Sequence, residues 1–305
     1  MVDVFVLSGF LGSGKSTLLK ELIQFEQKQG RRVGVIMNEL GSISIDSAIV
    51  PDEVPLKELL NGCVCCTLQG ELSLQIKRLL ENYQLDVIYI EATGAAHPLE
   101  IIDACTHPLL VANINVRAVI TLVNALQWYE GKMNNKIKKL LVEQIKFADI
   151  IVLNKIDKLE NSVVEQLLGK LDQINSNARK ISSTYAQIDL KLLYMTETNE
   201  HKTEQSEPTH VHNHLHLRTV KVALERPIER MKLVEWLEHF QGILYRAKGF
   251  VYITETPGLF LFNYAYGDPV FERYSIKETY TPTLVFIGEN LDQDEIKKHV
   301  NQLYV

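Results

Sequence analysis

Val4-Phe5-Val6-Leu7-Ser8-Gly9-Phe10-Leu11-Gly12-Ser13-Gly14-Lys15-Ser16 is a short apolar run that passes directly into a glycine-rich loop ending in Lys-Ser. Four consecutive apolar residues bounded by Ser-Gly suit a strand buried on both faces. Beyond Ser16, Leu18, Leu19, Leu22, Ile23 and Phe25 recur at helical spacing. Gly-x-x-x-x-Gly-Lys-Ser between a strand and a helix is a phosphate-binding arrangement. Gly9, Gly12 and Gly14 let backbone N–H groups wrap phosphate oxygens, with Ser13 and Thr17 in the same cradle. The helix N-terminus adds its positive dipole end. Lys15 is expected to bridge the β- and γ-phosphates and Ser16 to bind Mg²⁺. The alternative, a glycine-rich turn with no ligand, is disfavoured by the complete motif in its required context.

Working outward, Arg32–Met37, Asp86–Ile90, Val116–Val123 and Ile150–Leu153 read as further buried strands, separated by helical stripes such as Leu72, Ile76, Leu79 and Leu80. Alternating strands and helices over residues 1–195 predict an α/β domain of the P-loop NTPase type, a mostly parallel sheet covered by helices on both faces. Residues 196–210 are almost wholly polar, so 196–216 is read as a linker. Apolar patterning returns at Leu217. A strand, a helix over Glu229–Phe240, four strands and a closing helix over Asp292–Leu303 predict a small α+β domain at 217–305.

With 46% hydrophobic and 23% charged residues the 305-residue chain can build sizeable cores. A net charge of −6 with no basic stripe argues against nucleic acid as a partner. No run of apolar residues is long enough to span a membrane. Met1–Leu7 runs straight into a strand without the features of a secretory leader, so a cytoplasmic location is expected.

Two more motifs lie at strand ends. Asn154-Lys155-Ile156-Asp157 follows Ile150–Leu153, and its Asp157 can accept hydrogen bonds from N1–H and N2–H₂ of guanine. Adenine offers neither donor and would leave the carboxylate unpaired, so the tetrapeptide selects GTP. Glu91-Ala92-Thr93-Gly94 follows Asp86–Ile90. Glu91 is placed to hold Mg²⁺, directly or through water, and the Gly94 N–H to sense the γ-phosphate. Glu91 stands where many GTPases have Asp. Asn38-Glu39, with Asp46 beyond, is positioned as a nucleotide switch, and Asp46 is a candidate Mg²⁺ ligand. Asn175–Ala178 is a candidate guanine-stacking loop. No glutamine or arginine finger stands out in the motifs, so slow hydrolysis stimulated by a partner is expected.

Cys63, Cys65 and Cys66 fall within four residues in Asn61-Gly62-Cys63-Val64-Cys65-Cys66-Thr67. Residues so close rarely meet disulfide geometry. Thiolates are soft ligands that suit Zn²⁺ and related ions. Completing a tetrahedral site needs further donors, for which Glu39 and His97 are candidates, or a second chain. Cys105, alone, reads as a buried structural residue. His210, His212, His214 and His216 alternate, so an extended chain would point all four to one side. They are read as a weak accessory metal site, against the alternative of a solvated His-rich linker. The other histidines, His107, His201, His239 and His299, read as ordinary.

Together, GFLGSGKSTLL, Asn38-Glu39 with Gly41 and Asp46, GCVCC, Glu91-Ala92-Thr93-Gly94 and NKID resemble the CobW-like family of metallochaperone GTPases, itself similar to the hydrogenase- and urease-accessory GTPases. The resemblance extends through Leu217–Val305, including Arg246-Ala247-Lys248-Gly249. Ala92 departs from it, a Ser being common there. The resemblance implies GTP hydrolysis coupled to delivery of Zn²⁺, or in some members Co²⁺ or another metal such as Ni²⁺, to a metal-requiring client protein. A nucleotide-driven homodimer would let two cysteine clusters share metal. The rival readings are a metal buffer or sensor with a vestigial GTPase, disfavoured by intact Lys15, Ser16, Glu91 and Asp157, and a small-molecule P-loop kinase, disfavoured by NKID together with GCVCC.

Overall fold

The computed structural model describes residues 1–37, 56–58, 68–194, 217–265, 267–275 and 281–304. The first sheet has seven strands in the order β3-β2-β4-β1-β5-β6-β7, every neighbouring pair parallel. Its strands are β1 (Val2–Ser8), β2 (Val33–Met37), β3 (Leu56–Glu58), β4 (Val87–Glu91), β5 (Ile114–Asn124), β6 (Ile150–Asn154) and β7 (Arg179–Ser183). The helices around them are α1 (Lys15–Lys28), α2 (Leu68–Asn82), α3 (Pro98–Cys105), α4 (Ala125–Glu130), α5 (Asn135–Lys146) and α6 (Asn161–Ile174).

Side chains alternate across a strand, so β1 and β4 each feed two cores. Val4, Val6, Ile88 and Ile90 pack with Ile76 of α2 and Ile101 of α3 on one face. Phe5, Leu7, Val87 and Tyr89 pack with Leu18, Leu19 and Leu22 of α1 on the other. A third cluster joins Ile151 and Leu153 to α5 and α6. The second core also encloses the fully buried carboxylate of Glu26, which accepts from Tyr89 Oη at 2.7 Å and from Arg31 at 3.1 Å, and also from Tyr194. A buried charge persists only with such partners.

The second sheet is antiparallel, in the order β11-β10-β9-β12-β8. It comprises β8 (Leu217–Ala223), β9 (Ile243–Tyr252), β10 (Leu259–Ala265), β11 (Asp268–Tyr274) and β12 (Thr283–Glu289). Helices α7 (Arg230–Glu238) and α8 (Gln293–Gln302) cover one face over Val251, Phe262, Leu284 and Phe286. The opposite face meets the first domain. Ile287 joins the core under α2 and α3, Lys248 Nζ lies 2.7 Å from Asp103 Oδ1, and Lys221 Nζ donates to the Val111 and Ile114 carbonyls at 2.6 and 3.0 Å.

Strands β3 and β7 are additions to the expected set. β7 reads Arg-Lys-Ile-Ser-Ser and is half-buried for most of its length, so it lacks the apolar run that marks a central strand. No helix among the described residues is long and apolar enough to cross a membrane.

Candidate nucleotide site

All seven parallel strands end on one edge of the sheet, and the two described sequence motifs at strand ends meet the glycine-rich loop there. Gly9, Gly12 and Gly14 have φ of 128°, 73° and 111°, a region closed to most residues with a Cβ. Space is as tight as the backbone is unusual. A Cβ on Gly9 would lie 2.3 Å from the Leu122 carbonyl oxygen, and one on Gly14 would lie 2.4 Å from Asn154 Nδ2. The loop opens α1, whose N-cap is Gly14 with no side-chain cap and whose first turn carries no acidic residue. Its leading N–H groups therefore suit an anion. Lys15 is buried, and its Nζ reaches back to the Gly9 carbonyl at 3.0 Å. Thr17 faces solvent on the first turn.

Ser16 Oγ donates to Glu91 Oε1 at 2.9 Å. Glu91 is the last residue of β4 and is only 7% exposed. A hydroxyl and a carboxylate held together at the phosphate edge are hard oxygen donors that fit Mg²⁺. The turn that follows rests on the loop itself: a Cβ on Gly94 would stand 2.9 Å from the Leu11 backbone nitrogen. Gln144 of α5 fixes this turn from behind, donating to the Gly94 and Ala96 carbonyls at 3.2 and 3.1 Å.

The candidate base-reading end is built on Asn154, whose buried side chain bonds on both sides. Nδ2 donates to the Ser13 carbonyl at 2.8 Å, while Oδ1 accepts from Ser183 Oγ at 3.1 Å and from the Ala186 N–H at 2.9 Å. Lys155 follows with φ of 63°, and Asp157, exposed, sits in a short 3-10 turn over Ile156–Lys158. Asn124 Nδ2 adds a long contact, 3.5 Å, to the Gly12 carbonyl.

The stacking-loop candidate Asn175–Ala178 is corrected by this geometry. These residues precede β7, and Asn175 Nδ2 donates to the carbonyls of Ile145 and Ala148, both at 2.9 Å, at the opposite edge of the sheet. The segment beside Asn154 is instead the turn after β7. There Tyr185 and Ala186 take φ of 54° and 57°, and Tyr185 is 73% exposed. No glycine marks that turn, so residue type gave no signal for it.

Asn38, Glu39, Asp46, Cys63, Cys65, Cys66, His201, His210, His212, His214 and His216 lie outside the described residues. Among the described residues no group of three or more His, Cys, Asp or Glu side chains is arranged to hold a metal ion. His97, the candidate further ligand, caps α3. Its Nδ1 accepts from the Leu99 N–H at 3.2 Å and its Nε2 lies 3.8 Å from Glu143. Cys105 is buried, and burial pushes its thiol up to about 12, as befits a structural residue.

Residues 3–182 match the family model for the CobW/HypB/UreG nucleotide-binding domain, and residues 217–304 match that for the cobalamin synthesis protein cobW C-terminal domain. The zinc chaperone YjiA of Escherichia coli is 31% identical, with 97% of this chain and 96% of that protein aligned. The zinc-regulated GTPase metalloprotein activator 1 of Dictyostelium discoideum is 28% identical over 85% of this chain, which spans 64% of that protein's length. The crystal structure of Zn(II)-bound YjiA GTPase from E. coli aligns over 100% of this chain and 99% of that one, with 26% identity and a TM-score of 0.50.

Proposed function

Since the chain belongs to the CobW/HypB/UreG family and is a GTPase, we propose that it is a metallochaperone. In this reading it binds Zn²⁺ through Cys63, Cys65 and Cys66 and uses GTP to govern its transfer to a metal-requiring client. Residues 1–195 bind nucleotide and carry the cysteines. Residues 217–305 form the second domain, and the histidines of 196–216 give a weak accessory site. The observation that carries the reading is a strand register. Glu58 pairs with Met37, and Met37 pairs with Glu91, so β3 ends at the same sheet edge as the Ser16–Glu91 pair. The cysteines follow Glu58 by a few residues. In this reading that short separation in sequence is what links the phosphate edge to the thiolates.

The roles of the residues follow from their chemistry. The N–H groups of Gly12–Ser16 and the Lys15 ammonium bind the phosphates and offset charge on the transferring group. Ser16 and Glu91 would hold Mg²⁺, which when bound would supply charge neutralisation at the phosphates. The Gly94 N–H orients toward the γ-phosphate. Asp157 accepts from the guanine edge, Asn154 keeps the base-reading turn fixed to the phosphate loop, and the exposed Tyr185 ring flanks the base. Slow hydrolysis accelerated by a partner belongs to this reading, since no glutamine or arginine finger stands out in the motifs.

The test is zinc affinity of the reduced protein by competition with a chromophoric chelator, with GDP and with a non-hydrolysable GTP analogue. Wild type should show a nucleotide-dependent affinity that disappears in Cys65→Ser/Cys66→Ser. Equal affinity with both nucleotides, or a double variant that behaves as wild type, would defeat the chaperone reading and leave the GTPase.

A further inference from the structure

The second domain grips the first at α3, the helix that begins four residues after Gly94. Lys248 of β9 is 7% exposed, its ammonium is 2.7 Å from Asp103 Oδ1, and it also donates to the Asp103 carbonyl. Burial pushes that ammonium's pKa down and Asp103 pulls it back. Asp103 is itself 6% exposed. Lysine is almost never buried this deeply without a specific partner, and breaking such a pair strands a charge. A domain interface held by packing alone would have no need of it.

The other end of α3 is fixed just as firmly. Pro98 and the His97 cap start the helix, and Gln144, with no exposed surface, holds the Gly94 and Ala96 carbonyls immediately before it. Ser73 of α2 donates to the Ala104 carbonyl at 2.9 Å, so the helix that follows the cysteine segment is tied to the same element. With an α-helix rising about 1.5 Å per residue, α3 is a rigid rod of about 12 Å. One end is the turn on the phosphate loop and the other is the Asp103–Lys248 pair.

We propose that Lys248 is a positioning residue for the nucleotide reaction: by fixing α3 through Asp103, it sets the pose of the Thr93–Ala96 turn and makes the second domain part of the response to the γ-phosphate. Coupling of this kind is reciprocal, so whatever loads the second domain also alters the preference for GTP over GDP. The inference rests on Gly94 acting as the γ-phosphate sensor.

The experiment is the ratio of affinities for a non-hydrolysable GTP analogue and for GDP, each with Mg²⁺, by fluorescence titration of this chain. Wild type is compared with Lys248→Met, Asp103→Asn and Gly94→Ala. A relay predicts that Lys248→Met or Asp103→Asn shifts the ratio by about 3- to 10-fold. A merely structural role lowers the melting temperature and leaves the ratio of the folded protein untouched. If Lys248→Met does not fold, Asp103→Asn, which keeps the size of the side chain and the backbone carbonyl, decides alone. An unchanged ratio in the folded interface variants, with a changed one in Gly94→Ala, overturns the relay and spares the sensor. An unchanged ratio in Gly94→Ala removes the sensor, and the relay with it.

Discussion

Asn154 donates to the carbonyl of Ser13 across 2.8 Å, joining residues 141 positions apart in the chain. One buried amide thus locks the turn after β6 to the glycine-rich loop, and its oxygen simultaneously collects the turn after β7. Asn154→Asp keeps the shape but replaces the donor by a carboxylate facing a carbonyl. Each buried group left unsatisfied costs about 1–3 kcal/mol. The expected outcome is a fall in GDP affinity of roughly 100-fold, equivalent to about 2.7 kcal/mol. Titration with a fluorescent GDP analogue measures it, and near-wild-type binding would show that the lock is dispensable.

Glu91 and Ser16 make a second, different pair, because the bond between them closes where a cation fits. Glu91→Gln preserves size and can still accept from Ser16, but loses the charge proposed to attract Mg²⁺. Turnover should fall by roughly 10²–10³, the range found when one preorganised electrostatic group is removed. The Mg²⁺ concentration for half-maximal activity should rise. GDP affinity measured in EDTA should be nearly unchanged, which separates loss of metal from loss of the fold.

Base selection is the role proposed for Asp157, and its exposure just past the end of β6 leaves the carboxylate available to a ligand. Guanine presents two donors to it; xanthine replaces the N2 amine by an oxygen. Asp157→Asn supplies a donor where the native residue accepts. The variant should lose GTP binding by 10²-fold or more, on the order expected for unpaired polar groups in a recognition site, and gain affinity for xanthosine triphosphate. Competition between the two nucleotides reads the exchange directly.

Much of this site was legible in the sequence, because its hardest constraints act on residue type. Left-handed φ at Gly9, Gly12 and Gly14, with no room for a Cβ on Gly9 or Gly14, can be met only by glycine, and a motif of glycines at fixed spacing survives as text. Asn154 and Asp157 stood out as parts of one tetrapeptide expected at a strand end, and the structure sets them at and just after the end of β6. The turn after β7 was not. Tyr185 and Ala186 adopt left-handed φ without glycine, stabilised by the Asn154 bond, which is a tertiary contact that no local pattern encodes. Burial of Lys248 was equally hidden: Arg246-Ala247-Lys248-Gly249 stood out only through the resemblance, and its partner Asp103 lies 145 positions away in the chain. Long-range partners, unlike backbone requirements, leave no mark on neighbouring residues.

His107 offers a pH readout of the same interface. It follows α3, its Nδ1 accepts from the Leu109 N–H at 3.2 Å, and its ring stands edge-on to Phe250 of β9, with centroids 6.5 Å apart. Burial is the main cause that pushes its pKa from 6.5 down to about 4; Lys248 lowers it further, and Asp103 opposes both. Between these values the unfolded chain binds a proton that the folded chain refuses, so stability rises with pH across the window and is lost on acidification. Above pH 6.5 the contribution is constant; below about 4 both states are protonated and the loss is complete. A shift of this size corresponds to about 3 kcal/mol. Urea denaturation of wild type and His107→Asn at pH 7.5, 5.5 and 4.5 tests this, since Asn can present Oδ1 to the Leu109 N–H without titrating. The stability difference between the two should shift in favour of His107→Asn as pH falls. A difference that stays constant across the series would mean that His107 is hydrated or protonated in the folded protein, and the interface would then be more open than its packing indicates.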